Sequence, residues 1–167
     1  MYMKRLIDNL EQLNQIFHAL ANGITVQDSK GRLLFVNQKA AEMMNCKTPE
    51  DAIAKGGLEI VKDFKFFSEN GKLLEVTDLP GRLALQGIHE SEMIVRYASD
   101  KFPKMRWTSI KAAPIFDTSG KVVLVVNVLQ DITELKGAES RLKEANKRIT
   151  KLLEDVLTKD IGLNSSR

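Results

Sequence analysis

The chain is short of the residues that build reactive or cross-linked sites. Of its 167 residues, one is cysteine, two are histidine, one is tryptophan and two are tyrosine. A lone Cys46 excludes an internal disulfide and a cysteine-built zinc site, a usage that suits a reducing compartment. His18 and His89 stand far apart and make no metal-ligand pattern with Cys46. No apolar run approaches the roughly 20 residues that cross a bilayer. Charges recur every few residues from the N-terminus onward, so a soluble, cytoplasmic chain without membrane insertion of its own is expected. The 25 basic and 22 acidic residues are spread along the length for a net charge of +3. With no basic tract to bind phosphates, nucleic-acid binding is not expected. A phosphate-cradling glycine loop, a nucleophile with a histidine base and a metal cluster are all missing, so the chain is not expected to be an enzyme.

What is present fits one globular domain and a helical extension, with 43% hydrophobic and 28% charged residues. The run Lys121–Thr133, KVVLVVNVLQDIT, has the length and β-branching of a buried strand, and a charged helical pattern starts where it stops. Upstream, Met3, Leu6, Leu10, Leu13, Phe17 and Leu20 fall three and four apart, predicting an amphipathic helix over residues 1–22 that caps the domain core or pairs with a second chain. Ile24–Asp28, a turn at Asp28-Ser29-Lys30-Gly31 and Arg32–Asn37 read as a hairpin. Nearly the same turn, Asp117-Thr118-Ser119-Gly120, joins a strand over 104–116 to the Lys121 strand, and a turn near Ser99–Phe102 joins 92–98 to 104–116. Between these hairpins the pattern is more helical. Thr48-Pro49-Glu50-Asp51 carries an N-cap, a proline at the first helical position and an acidic first turn. Gln38–Asn45 and a short segment from Leu79-Pro80 to Gly87 read as further helices; Gly56–Val76 is less regular, with an Asn70-Gly71 turn. This order predicts an α+β domain, an antiparallel sheet with helices over one face and a small cavity between them, which Met43 and its neighbours would line adaptably.

Leu135, Ala138, Leu142, Ala145, Ile149, Leu152 and Val156 follow a three-four repeat that predicts a parallel coiled-coil dimer over 134–158, with 159–167 as a disordered tail. Glu139 with Lys143 and Glu144 with Arg148 support the helix. Two alanines and Gly137 make the coil marginal on its own, and a single helix folding back on the domain is the competing reading.

The order of elements, with GITVQDSKGRLLFVNQKAAEMM, LPGRLALQG and RWTSIKAAPIFDTSGKVVLVVNVLQDITE, resembles the PAS domain of bacterial signalling proteins, across about Gln15–Thr133. Asp131-Ile132-Thr133 matches that family's D-I/V-T signature. The resemblance implies a PAS fold over residues 23–133, with a five-stranded antiparallel sheet in order 2-1-5-4-3. It also implies a sensory or signal-transduction function, in which the junction at Asp131, Ile132 and Thr133 relays a signal through the C-terminal helix to an output domain such as a two-component histidine kinase, a phosphatase or a cyclic-dinucleotide enzyme. Physically, Asp131 or Thr133 can cap that helix. A ligand-free dimerisation scaffold is the alternative.

Flavin is not expected, because the cysteine motif of the family's photosensors is missing and Leu129 stands where they keep a glutamine. Haem is not expected, because Leu79–Gly87 holds no histidine; His18 and His89 read as surface residues. A small organic ligand is compatible with the fold. Registered on the family, Arg96, Ala98, Thr108, Ile110, Asn127 and Leu129 turn toward the helices, and a buried Arg96 would call for a carboxylate-bearing ligand. Pairing with Glu92, or a register that sends Arg96 to solvent, are the alternatives. Val95, Tyr97, Trp107, Ser109 and Lys111 would then form the outer face, where Trp107 and Tyr97 offer an apolar surface to a partner or to the N-terminal helix; the resemblance implies a homodimer contact there.

Overall fold

A computed structural model of the chain describes residues 15–16, 21–89, 91–100 and 102–164, with side chains at all of these except 102, 103 and 159–164. Gln15 and Ile16 are helical; the expected N-terminal stripe of Met3, Leu6, Leu10, Leu13, Phe17 and Leu20 lies outside the described residues, as does His18. The chain divides into two units, one ending at Ile132 and the other starting at Thr133.

The first unit starts with strands β1 (Gly23–Asp28) and β2 (Leu33–Val36), then short helices α1 (Gln38–Met43), α2 (Pro49–Lys55) and α3 (Gly57–Lys62). Strands β3 (Phe64–Ser68) and β4 (Leu73–Leu74), a 3₁₀ turn at Val76–Asp78 and helix α4 (Pro80–Leu85) follow. Three long strands complete it: β5 (Ser91–Ser99), β6 (Phe102–Phe116) and β7 (Val122–Asp131). The sheet is antiparallel throughout, in the order β2-β1-β7-β6-β5-β3-β4. The expected five-stranded order is the run from the β2 edge to β5. The additional pair, β3 and β4, comes from the stretch expected to be irregular and extends the sheet beyond β5.

One turn chemistry closes three of the hairpins. Asp28 accepts from the backbone N–H groups of Lys30 and Arg32 at 2.9 and 3.0 Å, and Asp117 accepts from those of Ser119 and Lys121 at 2.8 and 3.0 Å. In the β3–β4 turn the Ser68 hydroxyl takes that role, accepting from Lys72 N–H at 3.0 Å. The fourth residue of each turn is glycine at φ 78° (Gly31), 90° (Gly71) or 80° (Gly120), the left-handed region where a Cβ would be strained. Backbone donation to the turn carboxylates holds Asp28 below the usual carboxylate range, led by Arg32 N–H; at Asp117 the Ser119 hydroxyl leads.

Buried Asn37 ties the first hairpin to the helices. Its Oδ1 caps α1 by accepting from Ala40 N–H at 2.9 Å and also accepts from Ile24 N–H on β1 at 2.8 Å. Its Nδ2 donates to the Asn22 carbonyl at 2.9 Å. Helix α2 starts as expected, with Thr48 Oγ1 accepting from Asp51 N–H at 3.1 Å ahead of Pro49. The helices lie against one face of the sheet, α1 on β1, α2 on β2, and α4 on β5, β6 and β7. Between them sit clusters around Val36, Ala40 and Ile60, around Phe66, Val95 and Tyr97, and around Ala84, Ala112 and Val125.

The second unit is a single helix, α5 (Thr133–Asn164). It continues past residue 158, so the expected disordered tail starts too early; residues 165–167 lie outside the described residues. Glu144 pairs with Arg148 as expected, whereas Glu139 pairs with Lys136 at 3.3 Å rather than with Lys143.

Candidate functional site

The inner face of the sheet and helices α1, α3 and α4 line a half-open cavity of about 150 Å³. Its walls are mainly apolar. Met43 comes from α1, Ile60 from α3, Phe64 and Phe66 from β3, Leu79 from the approach to α4, and Ile110 and Leu129 from β6 and β7. Tyr97 adds its ring, edge-on to Phe64 at 5.8 Å between centroids.

Polar groups gather on β1 and β7. Asn127 Nδ2 donates to Thr25 Oγ1 at 3.1 Å, and Gln27 Nε2 reaches the Gly81 carbonyl at 3.4 Å. Thr25, Gln27 and Asn127 are all buried and line the cavity. Gly81 permits this approach: a Cβ there would stand 2.6 Å from Asn127 Oδ1 and 3.3 Å from Gln27 Nε2. Thr108, also on the wall, donates its hydroxyl proton to the Gln130 carbonyl at 3.0 Å and is satisfied within the sheet. Arg82, the next residue after Gly81, is the only charged residue on the wall among the described residues.

Of the residues expected to bind a ligand, Met43, Thr108, Ile110, Asn127 and Leu129 line the cavity together. Arg96 does not. It lies on the opposite face of the sheet with its guanidinium over the Trp107 ring, 5.3 Å from the centroid. Its neighbours Val95 and Tyr97 are the ones turned inward, 0% and 4% exposed. The expected inward set on this strand is therefore displaced by one residue, taking Ala98 outward with Arg96. The cause is register. Val95 pairs with Thr108, Arg96 with Trp107 and Tyr97 with Arg106, so odd-numbered residues of β5 share a face with even-numbered residues of β6. Tyr97 thus belongs to the cavity, and Trp107 holds the outer face with Arg96. Glu92 receives the Ser109 hydroxyl at 3.2 Å.

The Tyr97 hydroxyl is buried without a hydrogen bond of ordinary geometry. Burial raises its pKa above the usual tyrosine value and the Asp131 carboxylate adds to this, while Arg106, opposite on β6, pulls the other way.

The junction is short. Strand β7 ends at Asp131, helix α5 starts at Thr133, and Ile132 alone separates them. Ile132 is buried and its N–H donates to the Trp107 carbonyl at 3.0 Å. Asp131 lies 3.9 Å from Arg106. On α5, Leu135, Ala138, Leu142, Ala145, Ile149, Leu152 and Val156 are all exposed, an apolar stripe open to solvent.

His89 is exposed beside Phe116, with ring centroids 4.8 Å apart, and Cys46 packs at the edge of the first cluster; neither lines the cavity. Among the described residues no group of His, Cys, Asp and Glu is placed to hold a metal ion, and no helix is long and apolar enough to cross a membrane.

Sequence reasoning missed the β3 wall, Phe64 and Phe66, although Asn70-Gly71 between two apolar pairs carried the hairpin signal. It also missed Thr25, Gln27 and Arg82. The alternation of Thr25 and Gln27 around Val26 was readable; no local pattern aims Arg82 at a cavity.

A family model of the PAS domain matches residues 21–134. No curated protein gives a significant match. Among solved structures, the PAS domain of a protein from Colwellia psychrerythraea is similar at TM-score 0.54 and 18% identity, over 75% of this chain and 98% of that one. The PAS domain of BvgS from Bordetella pertussis is similar at TM-score 0.52 and 17% identity, over 85% of this chain and 98% of that one. A sensory box histidine kinase/response regulator structure from Burkholderia thailandensis gives TM-score 0.51 and 12% identity, over 78% and 92%. At these identities the likeness concerns the fold, and it agrees with the sheet order and helical cover described above. The chain belongs to the PAS domain family, whose members serve as sensory modules of signal-transduction proteins.

Proposed function

We propose that this chain is a homodimeric PAS sensor whose cavity takes a small organic ligand and whose C-terminal helix relays occupancy to an output domain outside the chain. The observation that carries this reading is continuity along one strand. Asn127 and Leu129 on β7 line the cavity, and the same strand passes through Asp131-Ile132-Thr133 into α5 with a single residue between strand and helix. A change in the cavity that shifts β7 moves the start of the helix.

The dimer in this proposal uses the exposed α5 stripe, whose three-four spacing suits a two-stranded coil, and the outer face around Trp107. The chain itself is a non-enzymatic, cytoplasmic relay that neither binds nucleic acid nor inserts into a membrane; catalysis belongs to its output partner, of histidine kinase, phosphatase or cyclic-dinucleotide type. No flavin, haem or metal enters the reading. A cavity of about 150 Å³ is below the ~300 Å³ at which pockets start to take larger ligands.

Native mass spectrometry, compared with the denatured mass, tests both parts. The expected result is a dimer carrying extra mass that is lost on denaturation. A dimer without added mass favours the ligand-free scaffold, and a monomer overturns the coiled-coil assembly.

A further inference from the structure

Three features of the cavity wall constrain what it takes. The first is size: about 150 Å³ matches a cavity that holds one benzene-sized body. The second is the apolar lining by Phe64, Phe66, Leu79, Ile110 and Leu129, which favours a hydrocarbon ring or a branched chain of that bulk. The third is charge. Arg82 is the only ionisable group besides Tyr97 on the wall, it is half-buried, and its side chain forms no hydrogen bond or ion pair among the described residues. Its guanidinium lies by the β1–β2 turn, where a Cβ on Gly31 would stand 2.9 Å from Arg82 Nη1, while the amides of Asn127 and Gln27 converge on Gly81.

Resting on the sensor reading above, we propose that the cavity recognises a small apolar carboxylic acid, with the carboxylate on Arg82 and the ring or branched body against the β3 and β6–β7 walls. A planar guanidinium offers paired donors that match a carboxylate. The carboxylate partner of this domain is therefore Arg82 on α4, not Arg96 on β5, which is committed to Trp107 on the far side of the sheet.

Isothermal titration calorimetry with benzoate and benzamide as probes tests this. Benzoate is expected to bind, benzamide at least tenfold more weakly; Arg82→Gln is expected to lose at least tenfold in benzoate affinity, Arg82→Lys to recover part of it, and Arg96→Gln to leave it unchanged. Equal affinity for benzamide, or full benzoate affinity in Arg82→Gln, overturns the anion class while leaving a small-molecule sensor intact. No benzoate binding to the wild-type chain overturns the proposal, and if the natively purified chain also carries no added mass, the sensor reading falls with it.

Discussion

The Arg96 guanidinium stands 5.3 Å from the centroid of the Trp107 ring, directly across the β5–β6 ladder and on the face of the sheet turned away from the cavity. A cation over an indole at a partly solvated site contributes about 0.5–1 kcal/mol. Arg96→Ala is expected to lower stability by about that amount in urea unfolding. Because Trp107 is the chain's single tryptophan, its emission should shift with the substitution. An unchanged emission spectrum would contradict the stacking.

Asn37 joins two backbone segments, the start of β1 and the start of α1, through three hydrogen bonds of one side chain. Asn37→Ala removes a helix cap and leaves the buried Ile24 N–H without its acceptor, a combined cost of about 2–4 kcal/mol. Asn37→Asp keeps the acceptor and should recover part of this. Chemical denaturation of both variants checks the order.

Gly81 and Asn127 are coupled by contact. In an ordinary helix alanine is favoured over glycine by about 0.5–1 kcal/mol, yet here a Cβ would meet Asn127 Oδ1 at 2.6 Å. Overpacking costs about 1–3 kcal/mol, so Gly81→Ala should be net destabilising. In an Asn127→Ala background the same change should cost less. A double-mutant cycle with no coupling would refute the contact.

Tyr97 gives the fold an alkaline limit. Its folded pKa is raised, chiefly by burial, so its neutral form is favoured in the native state. Its contribution is complete below the unfolded value of about 10 and is lost as pH rises through the higher folded value. Unfolding curves of wild type and Tyr97→Phe should run parallel at neutral pH and separate above pH ~10, with the phenylalanine variant the more resistant. Parallel curves throughout would place the hydroxyl in water.

Leu142 lies at the middle of the exposed stripe of α5. If the stripe is a dimer seam, Leu142→Asp places two like charges in it and should yield a monomer by sedimentation velocity. Wild-type unfolding should also depend on protein concentration, and the variant's should not.

Much of the fold was readable because it rests on local chemistry. An aspartate followed three residues later by glycine specifies the turn whether or not the rest of the chain is known, and it did so at Asp28 and Asp117. Thr48-Pro49 announced α2 for the same reason. The β3–β4 hairpin escaped because a five-residue strand paired with a two-residue one has too few residues to show alternation, although its turn was visible. The misplaced Arg96 is a different case. Alternation within β5 was clear, but alternation leaves open which half of a strand faces inward; that parity comes from how the Ser99–Phe102 turn sets β5 against β6.

By itself, then, the sequence determined the turns, the helix starts and the stripe on α5, all of which depend on residues within a few positions of one another, while the order of the strands in the sheet followed from the family resemblance. Only tertiary structure decided the cavity. Val95 and Tyr97 turn inward because burying their apolar surface is favourable while burying the Arg96 charge is costly. Arg82 lines the cavity because α4 packs across β5, β6 and β7, a placement set by contacts between residues distant in the chain.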